Sequence, residues 1–357
     1  MTMIILVLVV IGLVVLEKKW ALIASRSIKT YNGCQAVLVE PGEQVVWNAT
    51  VENHGRLPVP FVRMTQNFPD EVQVEENELW RKRYWRKNTF SGFCEYRMTV
   101  KARRSTTRSI KMSLTKRGVY YLGSYQLNIG DLLGFREVGH FEDGKKIVVM
   151  PRRSAQRTAV DAVGGFLGDV SVRRFILEDP VLTVGFRDYT GREPMRAISW
   201  TRTAQSGTLQ VKQYDHTAER HVVVLLNIEG ADEAQFEECL SLARSVCEKL
   251  EQHKIPYGFR TNGYLPGPLG NVSSLMEGLG QQHLNTILYG LGGAERTCFY
   301  SFKYLTRQTL KKRKMSESYI VITPSDTGSA HSCIQELSNA VGHGICVLRG
   351  CEGVEKI

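Results

Sequence analysis

Residues 221–228, His-Val-Val-Val-Leu-Leu-Asn-Ile, form a short and nearly continuous apolar run. A strand of that pattern is covered on both faces, which places it inside a sheet rather than on a half-solvated one. The chain after it keeps to a strand–helix grammar. Ala234 to His253 carries Phe236, Leu240, Ala243, Val246, Cys247 and Leu250 at helical spacing. Tyr257 to Thr261 reads as the next strand, with a Gly/Pro loop to Gly270. Leu284 to Leu291 and Phe299 to Leu310 read as helices, Ser318 to Thr323 as a buried strand, Ala330 to Ala340 as a helix and Gly344 to Leu348 as a last strand. Alternation of this kind implies a mostly parallel sheet sandwiched by helices.

The N-terminal half follows a different rule. Gln35 to Glu40, Gln44 to Glu52, Phe61 to Gln66, Cys94 to Ala102, Thr107 to Leu114 and Ile147 to Met150 are β-branched or alternating stretches. Pro41-Gly42, His54-Gly55 and Arg117-Gly118 supply turn chemistry between them. Many short strands without a long helical pattern predict a β-sandwich of broadly immunoglobulin-like shape, although the Cys-Trp-Cys hallmark of antibody domains is missing. The domain boundaries expected are 31–150 for the sandwich, 151–184 for a connecting region around Gly164-Gly165, and 185–357 for the α/β part with the segment leading into it.

The chain has 357 residues, enough for two separate cores, and a formal net charge of +10. Most of the positive excess lies before residue 147. Cysteines stand at 34, 94, 239, 247, 298, 333, 346 and 351, with no Cys-x-x-Cys pair and no Cys/His ligand spacing. That distribution argues against a zinc site and for a reducing compartment. Cys239 and Cys247, eight apart in a helical pattern, read as small buried hydrophobes.

Met1 to Leu16 is uncharged and almost wholly aliphatic, and is followed by Glu17-Lys18-Lys19-Trp20. Sixteen helical residues span ~24 Å against a hydrocarbon core of ~30 Å. Trp20 at the interface and snorkelling Lys18 and Lys19 make up the difference, so residues 1–24 are expected to be a transmembrane anchor. A cleaved signal peptide is the rival reading, but it lacks a basic n-region and a small-x-small site before Ala21. Lys18, Lys19, Arg26 and Lys29 after an uncharged segment predict a single-pass cell-membrane protein with its folded domains in the cytoplasm.

The polar, glycine-punctuated stretch from Gly185 to Gly230 carries an Arg-x-Tyr pair, an acidic turn, an Arg-x-Ile-x-Trp element and an Ala-x-x-Gly-x-Leu run: Arg187, Tyr189, Glu193, Arg196, Ile198, Trp200, Ala204, Gly207 and Leu209. It resembles the signature of a bacterial family of unknown function, number fifty-eight in that series, in which the pattern precedes the first strand of a von Willebrand factor A-like domain. The turn departs from the family's Gly-Asp-Asp, with Gly191 one place early and Glu193-Pro194 at the acidic positions, and Ser199 stands where an Asp is common. Asn53 to Pro60, Lys116 to Tyr120, Asp131 to Phe135 and Met150-Pro151 resemble the family's N-terminal half, so the likeness covers nearly the whole chain. The fold class it implies is multi-domain: an N-terminal transmembrane helix, an Ig-like β-sandwich, then an α/β von Willebrand A-like (Rossmann-type) domain. It also implies an accessory or scaffold protein associated with MoxR-type AAA+ ATPases and transglutaminase-like membrane proteins.

Metal-binding von Willebrand A domains use Asp-x-Ser-x-Ser at the end of the first strand. The matching positions are Asn227, Glu229 and Ala231, so the leading carboxylate and the last hydroxyl are gone. Asp326 after the strand ending at Thr323 is the one further acidic candidate, and the set is too poor in oxygen for a hard cation. No metal or cofactor is expected. Arg187, Tyr189, Arg196, Asn227, Glu229 and Asp326 are the candidate partner-binding residues. Trp200 and Gly207 are assigned structural roles, although the signature loop reads equally as a recognition surface and as packing onto the sheet. The strip Trp80 to Lys87, with Arg81, Lys82 and Arg83, has three readings: a solvated hairpin face, attraction to anionic lipid headgroups, and a nucleic-acid strip without any accompanying nucleic-acid motif. Lys18, Lys19 and Trp20 belong to the same membrane-surface assignment, and no nucleic-acid partner is expected.

No P-loop, His-Glu-x-x-His or Gly-x-Ser-x-Gly motif is present, and Gly290-Leu-Gly292-Gly293 lacks the preceding strand that a dinucleotide loop requires. The expected role is therefore non-catalytic docking of protein partners. Two alternatives stay open: a metal-dependent binder or hydrolase using Glu229 and Asp326, and an envelope-facing adhesion module with the opposite topology.

Overall fold

The computed structural model describes residues 5, 8, 11, 12, 15, 20, 23, 26–34, 36–75, 80–82, 92–130, 137–173, 183–214, 221–267, 270–314, 317–324, 328–341, 344–350 and 353–356. The chain divides into two compact units, Met1–Arg152 and Arg153–Ile357.

Among the described residues of the first unit from 28 onward, the regular elements are all strands. One sheet runs β1 (Ile28–Gly33), β3 (Gln44–Asn53), β8 (Ser105–Leu114), β5 (Val72–Val74). A second runs β11 (Glu137–Glu142), β10 (Ser124–Gly130), β4 (Val59–Phe68), β7 (Gly92–Val100), β6 (Trp80–Lys82). A small third sheet joins β2 (Leu38–Val39), β12 (Lys145–Val149) and β9 (Gly118–Leu122). Side chains alternate faces along each strand, so β3 sends Trp47, Ala49 and Val51 inward while β7 sends Cys94, Tyr96, Met98 and Val100. Trp47 is fully buried and meets Phe68 edge-on, ring centroids 6.1 Å apart. Two buried amides stitch the sheets: Gln66 Nε2 on β4 donates to Asn32 Oδ1 on β1 at 2.7 Å, and Asn32 Nδ2 donates to the Gly123 carbonyl. Asn53 organises the β3–β4 turn, accepting from the Gly55 amide at 2.9 Å and donating to the Leu57 carbonyl at 2.8 Å.

In the second unit a six-stranded sheet has the order β17 (Gly270–Gly278), β16 (Tyr257–Gly267), β15 (His221–Leu226), β18 (Glu317–Thr323), β19 (Ile345–Arg349), β20 (Gly353–Lys356). The four inner strands are parallel and both edge strands are antiparallel. Val223, Leu225, Tyr319, Val321, Ile345 and Val347 pack against α5 (Phe302–Lys311) and α6 (Gly328–Val341). Contacts to the sheet also come from α1 (Arg157–Arg173), α3 (Glu233–Gln252) and α4 (Gln281–Gly293). A reciprocal capping box starts α3: Asp232 accepts from the Gln235 amide and Gln235 accepts from the Asp232 amide. Cys239 and Cys247 of that helix are both fully buried. A separate two-stranded sheet, β13 (Thr183–Asp188) with β14 (Gln210–Tyr214), encloses a short 3-10 turn and α2 (Trp200–Ser206).

These findings correct the fold class expected from the sequence. No helix among the described residues is long and apolar enough to cross a membrane. Most of Met1 to Leu16, with Lys18 and Lys19, lies outside the described residues. Trp20, assigned to a membrane interface, packs against the sandwich core instead, its indole donating to the Pro58 carbonyl at 3.2 Å. The transmembrane anchor, the single-pass cell-membrane localisation and the cytoplasmic orientation built on it are therefore withdrawn. The Rossmann-type, von Willebrand A-like domain is corrected as well. Strand outweighs helix among the described residues, and the second unit's sheet is mixed, bounded by a long β16–β17 hairpin on one side and β20 on the other. The hairpin was hidden because residues 262–270 read as a Gly/Pro loop, whereas β16, with a register shift between Arg260 and Leu265, continues to Gly267. Residues 157–173, read as part of a connecting region, form α1. In the basic strip, Arg81 and Lys82 fall in β6, paired with Phe93 and Gly92 of β7, while Arg83 lies outside the described residues.

Gly123 is where the sandwich is least tolerant. Its φ is +69°, and a Cβ there would stand 2.3 Å from Cζ2 of the fully buried Trp47. Left-handed backbone and core overpacking each cost ~1–3 kcal/mol, so Gly123→Ala is expected to lower stability by ~2–4 kcal/mol in urea titration of the chain. An unchanged midpoint would show that the Trp47 ring does not hold this position.

Candidate functional site

At the carboxyl end of β15 the chain turns polar while still buried. Asn227, 2% exposed, donates through Nδ2 to Thr323 Oγ1 on β18 at 3.2 Å. Its Oδ1 accepts from Asn262 Nδ2 on β16 at 2.8 Å and from the Glu229 amide at 3.0 Å. Asn262 is itself fully buried, and its Oδ1 takes the Ile228 amide at 2.9 Å. The result is a clasp across three parallel strands whose members satisfy one another, as burial demands. Glu229 turns away from this clasp: its Oε2 accepts the Phe302 amide at 2.7 Å, at the first turn of α5. A carboxylate is well placed there, where helix amides lack intrahelical partners. Ser301, the N-cap, accepts from the Tyr304 amide. Burial pushes the nearby Cys298 thiol up from its ordinary range, with the Glu229 charge adding to the effect.

This arrangement settles what the sequence-assigned residues touch. Asn227 is a buried tie between strands, and Glu229 is a helix-capping carboxylate. Asp326 lies outside the described residues. Among the described residues there is no group of three or more His, Cys, Asp or Glu side chains placed to hold a metal ion. Asn262 and Thr323 were not singled out in the sequence, because pairing residues 35 and 96 positions away from Asn227 is a property of the sheet.

The signature segment is organised on its own terms. Glu193 accepts from the Thr190 hydroxyl at 2.8 Å, the Thr190 amide at 3.1 Å and the Arg192 amide at 3.3 Å, and pairs with Arg187 Nη1 at 2.6 Å. The Thr190 hydroxyl leads these effects, with the backbone amides and Arg187 adding to it, and they lower the Glu193 carboxyl to about 2. The Tyr189 amide donates to the Leu209 carbonyl at 2.8 Å, closing the β13–β14 ladder beyond its last pair. Ile198 is buried and bridges Val211 of β14, so the 3-10 turn is pinned to the hairpin. Gly207 ends α2 in the left-handed region, φ +74°, its amide donating to the Thr203 carbonyl at 3.0 Å.

The helix between these fixed points buries none of its residues. Trp200, assigned a structural role from sequence, is 61% exposed, and Met195 in the preceding 3-10 turn is 70% exposed. Phe186 and Leu209 are also exposed apolar side chains, and the Arg202 guanidinium sits over the Phe186 ring, 5.1 Å from its centroid. Arg192, Arg196 and Lys212 of the same segment are exposed as well. The segment is therefore a rigid bracket that presents aromatic, apolar and cationic groups to solvent.

No family model and no curated protein matches the chain. Solved structures do match about a third of it. A non-cellulosomal cohesin from the hyperthermophilic archaeon Archaeoglobus fulgidus is 15% identical, over 34% of this chain and 91% of its own, with a TM-score of 0.22. A type II cohesin domain from the cellulosome of Acetivibrio cellulolyticus is 8% identical, over 34% and 95%, with a TM-score of 0.25. A membrane-anchored protein from Corynebacterium diphtheriae is 12% identical, over 34% and 36%, with a TM-score of 0.24.

Two measurements check the site. Asn227→Ala removes the acceptor of the Asn262 side-chain amide and the Glu229 backbone amide, so unfolding should become easier by roughly 2–4 kcal/mol. A loss below ~1 kcal/mol would mean the clasp is redundant. For Glu193, a depressed folded-state pKa means its charged form steadies the segment above the usual carboxylate range, and that contribution fades as pH falls from about 4.5 to about 2. Carboxyl ¹³C shifts should place its midpoint close to 2, and a midpoint near 4.5 would remove the proposed bracing of the acidic turn.

Proposed function

We propose that the protein is a non-catalytic docking module that binds a protein partner through the exposed face of the β13–β14 bracket. The observation that carries this reading is Trp200, a residue that dominates binding energetics when it becomes buried, held 61% exposed on a helix that contributes nothing to the core. Met195 and Leu209 extend the apolar area, and Met adapts its shape to a partner's pocket. Arg192, Arg196, Arg202 and Lys212 border the patch, so the complement is an acidic protein surface with an apolar socket. Of the residues first assigned to the partner, Arg196 keeps that role and Arg187 braces the acidic turn through Glu193. Asn227 and Glu229 act inside the fold. The finer identity of the partner, a MoxR-type AAA+ ATPase, rests on the resemblance carried by residues 187–209.

Bracket construction separates binding from folding, which gives a clean test. Trp200→Ala should leave the melting temperature of the chain within a degree or two and weaken binding to a purified MoxR-type ATPase by at least about tenfold, read by calorimetry. Arg196→Ala should slow association and reduce its salt dependence. If Trp200→Ala melts early, the exposed indole is not what the structure shows. Should the ATPase bind wild type and both variants equally, the bracket is not the docking face.

A further inference from the structure

The hairpin that the sequence concealed builds a cavity with α5. Arg260 on β16, Ser273 and Ser274 on β17, and Tyr300, Tyr304, Gln308, Thr309 and Lys312 line a space of about 310 Å³. Two of these side chains carry a polar atom that is buried and without a hydrogen-bond partner. Arg260 Nη1 is shielded from solvent and bonds to nothing. Thr309 is 0% exposed and its Oγ1 is likewise unpaired. The second omission is telling, because Thr306 one turn earlier returns its hydroxyl to the Phe302 and Lys303 carbonyls at 3.2 and 3.0 Å, the ordinary refuge of a helical threonine. Leaving a buried donor unmet costs free energy, and two such groups on the wall of one cavity mark a place where something else supplies the acceptors.

Charge narrows what that is. The lining holds two cations, Arg260 and Lys312, and no carboxylate. Glu317, the buried acid on β18, accepts from the Tyr319 hydroxyl at 2.6 Å through Oε2, its Oε1 has no hydrogen-bond partner, and it is not part of the cavity lining. A carboxylate ligand offers two oxygens, whereas Arg260, Lys312, Ser274, Gln308 and Thr309 offer donors from five side chains. A phosphate monoester, close to dianionic at neutral pH with three terminal oxygens, matches both the charge and the number of donors. The rest of the cavity is walled by aromatic rings: Tyr300 and Tyr304 meet edge-on with centroids 5.2 Å apart, and Tyr300 is fixed by donating its hydroxyl to the Thr261 carbonyl. Such walls accept a flat or apolar body attached to the phosphate.

We propose that the cavity between the β16–β17 hairpin and α5 is a binding site for a small phosphate monoester, with Arg260, Lys312 and the Thr309 hydroxyl holding the phosphate and Tyr300 and Tyr304 bounding its organic part. This site stands apart from the bracket reading and survives its failure.

The test titrates the full chain with inorganic phosphate, phenyl phosphate and benzoate, following heat and thermal shift. Phenyl phosphate should bind saturably at submillimolar concentration and raise the melting temperature, with phosphate weaker and benzoate weakest. Arg260→Gln should weaken phenyl phosphate by at least about tenfold, the scale expected for losing a hydrogen bond to a charged group. Thr309→Val keeps the side chain's shape and removes only the unmet hydroxyl, so the ligand-free chain should melt no lower than wild type while phenyl phosphate binds several-fold more weakly. That variant keeps the test decisive even if Arg260→Gln fails to fold. No saturable binding of either phosphate, benzoate binding as tight as phenyl phosphate, or phosphate binding that Thr309→Val leaves untouched would each overturn the assignment.

Discussion

The second unit depends on the buried amide pair Asn227 and Asn262. Parallel strands align their carboxyl ends side by side, and where β15 stops, its backbone must turn over the sheet without losing its hydrogen bonds. Asn227 reaches both neighbours, and Asn262 returns the favour by taking the Ile228 amide. Everything that follows β15 is anchored from this point. Glu229 can then reach the first turn of α5, and α5 is set over Val223, Leu225 and Tyr319. An aspartate at position 227 would keep the acceptor that Asn262 Nδ2 and the Glu229 amide use, but it would bury a charge and lose the donor to Thr323, so the neutral amide suits this position.

What the sequence made legible follows from how local each signal is. The apolar run at β15 and the spacing of Phe236, Leu240, Ala243 and Leu250 state their own burial, and both elements form where they read. The alternation in β3, β4 and β7 is equally plain. β17 gave no such signal. It is a half-exposed edge strand in which Met276 points almost wholly to solvent, so neither a continuous run nor clean alternation marks it. The same blindness applies to the polar clasp, since Asn262 in a Thr-Asn-Gly stretch reads as a turn former until its partners 35 residues away are in view. Trp200 failed for another reason. A tryptophan between small polar residues suggests an anchor, but α2 is too short and too peripheral to bring it against anything.

The two polar regions of the second unit illustrate opposite uses of hydrogen bonding. In the signature bracket every strong acceptor is consumed internally: Glu193 holds Thr190, Arg192 and Arg187 together, and what remains outside is apolar surface and unopposed arginine. A surface prepared this way loses little conformational freedom on contact, which is the main cost of association for long or flexible side chains. In the hairpin–α5 cavity the bonding is instead left incomplete at Arg260 and Thr309. Satisfied groups present a shape, and unsatisfied ones present a demand.

The order of strands in the six-stranded sheet has a consequence for how the chain is made. β16 is added beside β15 and β17 beside β16, after which β18, β19 and β20 extend the opposite side one after another. No strand has to enter between two that are already paired, so the sheet can grow outward as the polypeptide leaves the ribosome, each arrival sealing the edge exposed by the last. The sandwich is threaded otherwise. β8 lies between β3 and β5, both of which precede it by more than thirty residues, so that sheet cannot close until residue 114 has been synthesised. The earlier half of the chain is therefore the one that waits, and the edge of β3 opposite β1 is the one most in need of protection during translation.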